Sequence, residues 1–164
     1  MTGMKPIPRR ALLAIVAGFV INAGLQQAAA QSEVNKNTQR RLSISAPDSS
    51  DDPTPDGPSW HNITQIVTED LRASGRFVLI EPDSPIVEKI DAVPRFDEWR
   101  STHTEWLLTG RVTQPDRRLK VEFRLWNVIT GQQVLGQQYF LQPEQWRNVP
   151  QIIAEAILKR LSDE

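Results

Sequence analysis

The chain contains no cysteine. Disulfides, thiolate chemistry and Cys-based zinc sites are therefore excluded, as is a lipid anchor on an N-terminal cysteine. Glycine is scarce, with eight in 164 residues, and no phosphate-cradling Gly-rich loop is formed by them. Histidine is scarcer: His61 and His103 each stand without a second His at a metal-ligand spacing. No G-x-S-x-G elbow marks a nucleophilic serine. Charge of one sign is missing too. The balance is 19 basic against 20 acidic residues, so there is no field to draw in nucleic acid or an anionic membrane. With these motifs missing, surface histidines and solvated carboxylates are the plain reading. No catalytic residue, metal site or cofactor is expected.

What is present begins with an export signal. Lys5, Arg9 and Arg10 precede a short apolar run at residues 11–23, and Ala28, Ala29 and Ala30 place small residues before a cleavage point between Ala30 and Gln31. The run falls short of the ~20 apolar residues that span a bilayer, which disfavours an uncleaved anchor. Cleavage removes three basic residues and no acidic ones. It leaves 134 of the 164 residues, with sixteen basic against twenty acidic side chains and a net charge of −4. That length suits one domain with one core. The destination lies outside the cytoplasm, which in a Gram-negative cell means the periplasm. The expected organisation is a signal peptide over residues 1–30, a flexible polar arm over 31–40 and a single domain over 41–164.

Residues 105–141 carry the clearest pattern. Leu119, Val121, Phe123 and Leu125 alternate with Lys120, Glu122, Arg124 and Trp126, which describes a strand with one dry and one wet face. Residues 105–113 read as a strand before it and residues 133–141 as a strand after it. Pro115 and Asp116 supply the first turn, and Thr130 with Gly131 breaks the run for the second. Connections this short favour an antiparallel meander. Residues 41–46 and 77–80 read as two further short strands.

Helices flank this sheet. Ser59 or Asn62 caps one that runs to Ser74, with Ile63, Ile66, Val67 and Leu71 on one face and Gly75 just past its end. Residues 86–92 are a short helical or irregular piece, and residues 94–100 a brief helix with Phe96 and Trp99 on one side. Pro143 opens a helical turn. Pro150 would cost ~3 kcal/mol inside a helix, so it marks a restart. Ile153, Ile157 and Leu161 then form a core stripe.

Two clusters invite a functional reading. Asp48, Asp51, Asp52 and Asp56 lie in a proline-rich loop, but Pro53 and Pro55 interrupt the calcium-loop spacing and no closing Glu follows. A solvated loop is the better reading. Of the five tryptophans, Trp126 sits on the wet face beside Lys120 and Arg124. Either a helix bearing Trp99 or Trp146 covers it, which is the preferred reading, or it belongs to a partner-binding patch.

An ordered series of segments resembles the TolB N-terminal domain family. It comprises Trp99-Arg100, Leu108-Thr109-Gly110-Arg111-Val112, residues 119–126, Gly131-Gln132-Gln133 and Gln138-Tyr139-Phe140. Residues 69–77 extend it upstream, and Trp146-Arg147 through Arg160-Leu161 extend it downstream. The resemblance covers about residues 60–164 together with the signal peptide. It implies an α/β domain of the α+β type, with a mixed, mostly antiparallel sheet and helices packed on one face. It implies a non-enzymatic, periplasmic role in the Tol-Pal system, in outer-membrane integrity, cell division and protein import. Family members contact TolA through the mature N-terminal arm and Pal through a C-terminal β-propeller.

The sequence departs from the family pattern in two places. It ends where the domain hands over to the propeller, so no Pal-contacting residue can be carried over. Its arm is also short and polar, and Gln31, Ser32, Glu33 and Val34 are the candidates there for a TolA-type contact. Two alternatives stay open. One is a stand-alone periplasmic adaptor with the same fold and a different partner, offering a sheet edge by strand addition. The other is an enzyme whose site is assembled from scattered residues around a concave pocket.

Overall fold

The computed structural model describes residues 39–48 and 57–162. Five strands form one sheet: β1 (Arg40–Ile44), β2 (Phe77–Leu79), β3 (Trp106–Thr113), β4 (Leu119–Asn127) and β5 (Gln132–Leu141). Their spatial order is β2-β1-β3-β4-β5. β1 is parallel to both of its neighbours, in short registers that set Arg40 beside Phe77 and Leu42 beside Trp106. β3, β4 and β5 form the expected antiparallel meander, paired along nearly their whole length. The fold is thus the α+β type with a mixed, mostly antiparallel sheet.

Both hairpins are held by local chemistry. In the first, a 3-10 turn at Pro115–Arg117 carries Asp116 and Arg117 at positive φ, 51° and 64°. In the second, the Asn127 side-chain oxygen accepts from the backbone N–H groups of Ile129 and Thr130, both at 3.0 Å. Gly131 then takes φ 71°, which a glycine adopts without a Cβ penalty. Asn127 is the residue that starts this turn, ahead of the Thr130-Gly131 pair that the sequence singles out.

Two long helices, α1 (Trp60–Ala73) and α3 (Val149–Ser162), cover one face of the sheet. Ser59 caps α1, its Oγ accepting from the Asn62 N–H at 3.1 Å, and Gly75 closes it at φ 68°. The buried stripe of α1 is Trp60, Ile63, Val67 and Leu71, with Ile66 only half-buried. A 3-10 turn at Pro143–Asn148 switches into α3 at Val149, which leaves Pro150 in the first turn where no N–H is needed. Ile153, Ile157 and Leu161 are buried against Leu119, Val121, Phe123 and Leu125, the dry face of β4.

The expectation of helices on one face needs one correction. The short helix α2 (Phe96–Ser101) lies on the other face, where Trp99 joins Leu107, Trp126 and Val128 in a second, smaller core. Adjacent residues of β3 divide between the two: Leu108 belongs to the large core and Leu107 to the small one. The wet face of the sheet therefore turns dry at one end, where α2 covers it.

One position on the large-core face carries no side chain. Gly110 lies between Leu108 and Val112 on β3, and the Trp60 ring occupies the space where its Cβ would stand. The Trp60 indole N–H also reaches the Ser45 carbonyl, at 3.4 Å, just past the end of β1. Gly110→Ala should lower the unfolding free energy by about 1–3 kcal/mol or more, because overpacking forces the ring or the strand to shift. Denaturant melts of Gly110→Ala, Trp60→Leu and the double variant check this. The double variant should be more stable than the sum of the two single losses predicts.

Candidate functional site

The sequence-derived candidates fall into two groups. Ala30, Gln31, Ser32, Glu33 and Val34 lie outside the described residues, as do Asp51, Asp52 and Asp56 of the acidic loop. Trp126 is described and is buried, 6% exposed. Its indole N–H donates to Thr109 Oγ1 at 3.2 Å, and Phe96 meets its ring edge-on at 5.8 Å between centroids. The alternative of an exposed Trp126 patch gives way to the covered arrangement. The covering helix is the one bearing Trp99, whereas Trp146 packs against the large core on the opposite face.

This cover is anchored by polar contacts. Glu88 is buried, and its Oε1 accepts from the Trp99 indole N–H at 2.9 Å and from the Arg95 backbone N–H at 3.1 Å. Arg100 donates through Nε to the Val128 carbonyl at 3.1 Å and lies over the Phe96 ring. Nearer the other end of the strands, Arg111 bridges Asp91 at 2.7 Å and Glu122 at 2.8 Å, and Lys120 reaches Glu122 at 2.9 Å. Burial by itself would raise the Glu122 pKa, but hydrogen bonds from Lys120 and Arg111 outweigh it and hold the carboxyl below its ordinary range. Burial likewise pulls the Arg111 pKa down, and the bonds to Glu122 and Asp91 more than reverse that. These charges brace the sheet face.

A cleft of about 570 Å³ opens where β1 ends. Its walls are the exit of β1 (Ile44, Ser45), the outer face of α1 (His61, Thr64, Thr68) and the segment after β2 (Glu81, Ile86). Arg72 and Glu81 form an ion pair across it at 2.7 Å, with both side chains largely exposed. His61 thus lies in the cleft wall, while His103 sits in a left-handed turn after α2 at φ 62°. The cleft offers hydroxyl and amide hydrogen bonding, and its Arg72–Glu81 pair is closed on itself.

The sheet edge that the sequence reading left unassigned to a strand is the outer edge of β5. Ten residues long and largely exposed, it borders a groove of about 180 Å³ lined by Tyr139, Leu141, Val149 and Ile152. The signal was in the sequence, because residues 132–141 hold neither charge nor proline.

Comparison with known proteins places this geometry. The model of the family described as the TolB amino-terminal domain matches residues 30–134, from upstream of β1 into β5. The fold resembles that of TolB from Acinetobacter baumannii, with a TM-score of 0.61 and 20% identity. The match covers 76% of this chain and 29% of that one, so the chain spans less than a third of that TolB's length. Lipoprotein GNA1162 from Neisseria meningitidis aligns at 11% identity and a TM-score of 0.48, over 76% of this chain and 97% of its own. The LpoB C-terminal domain from Salmonella enterica aligns at 13% and 0.45, over 76% and 99%. No helix among the described residues is long and apolar enough to cross a membrane.

The Arg111–Glu122 cluster makes a pH-dependent contribution to stability. A carboxyl whose folded pKa is depressed stabilises the fold above its unfolded value, and this is lost as pH falls through the folded value. The loss should begin near pH ~4.3, the ordinary glutamate value, and continue below it. Thermal melts between neutral and acid pH should therefore show a shallower decline for Glu122→Gln than for the unaltered protein. Parallel declines would remove Glu122 from the account of acid sensitivity.

Proposed function

The chain belongs to the TolB amino-terminal domain family, and from that premise we propose that it is a non-enzymatic, periplasmic protein–protein interaction module of a Tol-Pal-type envelope system. The family match is the observation that carries this reading. An export signal at the head of the sequence, Lys5, Arg9 and Arg10 before a short apolar run, supports the compartment. The distribution of polar groups supports the absence of chemistry. The carboxylate of Glu88 holds a helix in place, and those of Asp91 and Glu122 brace a sheet face.

The partner proposed is a TolA-type inner-membrane protein, engaged by the segment that precedes β1 and includes Gln31, Ser32, Glu33 and Val34. β1 is suited to present such a segment. It is an interior strand, hydrogen-bonded on both sides, so its start at Arg40 is held by both neighbours. Roles in outer-membrane integrity, cell division and protein import follow from membership of that system. A Pal contact is not part of the proposal.

Retention of the TolA-type protein from envelope extract tests this, with the full protein as bait beside a variant lacking residues 31–39. Capture by the full protein and its loss in the variant are expected. Failure of both to capture it would point to the alternative, an adaptor of the same fold with a different partner.

A further inference from the structure

The two edges of the sheet differ. β2 is three residues long, too short to template another strand, whereas β5 is the longest strand and its outer side pairs with no strand among the described residues. Edge strands are ordinarily protected from self-pairing by charged side chains, proline, shortness or a bulge. β5 reads QQVLGQQYFL, with no charged residue and no proline. Its protection is confined to the start. There the register with β4 shifts, and Arg160 Nε donates to the Val134 carbonyl at 3.0 Å. From Leu135 to Leu141 β5 itself carries no such device, although Arg118 and Lys120 lie over the Phe140 ring on one face. Beside that length lies the groove of Tyr139, Leu141, Val149 and Ile152, and Phe140 and Ile152 are 49% and 37% exposed.

We propose that the outer edge of β5 pairs antiparallel with β5 of a second copy of this chain, about a two-fold axis, to make one continuous sheet. The lack of charge selects this occupant. Around a two-fold axis a strand meets its own sequence reversed, so a charge near the axis lies close to its own copy and repels it. A foreign strand imposes no such condition, because any charge on β5 can be met by an opposite one. A strand with no charge near the axis is what such self-pairing favours, and β5 has none there. A register centred on Gln137 sets Tyr139 across from Leu135 of the second copy on the groove side. On the opposite face Gln138 then lies across from Gly136, over which the Gln133 side chain is folded, and Phe140 meets the bulge at Val134, whose own side chain turns to the groove side. Both grooves come together along the seam and extend the contact beyond the two strands.

Sedimentation equilibrium of the full protein through the micromolar range tests this. A monomer–dimer equilibrium is expected. Gln138→Lys puts a charge on an exposed edge position near the axis and should weaken the dimer by about tenfold or more. Gln138→Glu should do the same. An equal mixture of the two variants should restore dimers, as mixed pairs, which separates lost pairing from lost folding. A protein that stays monomeric throughout overturns the proposal. So does a dimer that Gln138→Lys leaves at its original strength, or a mixture that fails to recover dimers.

Discussion

The ring of Trp60 lies on the bare backbone of Gly110, and the joining of the two halves of the domain follows from that contact. One half, β3 to β5, is built from neighbours in sequence and needs little beyond two tight turns. The other half, β1, α1 and β2, must be brought to it over long sequence separations. Trp60 opens α1, lies against the central strand and donates to the carbonyl of Ser45 where β1 ends. One side chain thus touches the first strand, the first helix and the meander. With a side chain at position 110, that approach would close.

The sheet's two faces then divide the remaining tasks. The α1–α3 face is a continuous apolar core, rich in large buried side chains from Trp60 to Leu161. The opposite face is only partly dry. α2 seals one end with Trp99 and Trp126, and the Arg111, Glu122 and Lys120 cluster braces the other. Ser43 Oγ and Thr104 Oγ1, buried and 2.6 Å apart, satisfy each other where β1 meets the start of β3. Polar groups are thus drawn into structural partnerships at the places where chain segments distant in sequence meet.

The meander was legible because its cues are local. Alternation at residues 119–125 gives the face, and the turn residues give the connections. The cap at Ser59, the glycine after α1 and the restart at Pro150 are local too. The parallel insertion of β1 between β2 and β3 was not legible from the residues. Its registers are short and its partners lie far away in sequence, so no periodicity records them. Trp60 went unassigned for the same reason, since its counterpart is a missing side chain fifty residues on. Trp126 was placed on the wet face by alternation, and only the position of α2 makes that location dry.

For function, the family supplied what residue chemistry did not. Composition and motif spacing name no partner. In the proposed role, the segment before β1 engages a TolA-type protein while the folded sheet stays as it is. Hydrogen exchange of the full protein, measured with and without that partner, tests this most directly. Slower exchange across residues 31–38, with the amides of β3 and β4 unchanged, is the expected result. No protection in that segment, or protection confined to the cleft at the end of β1 or to the β5 edge, would contradict it.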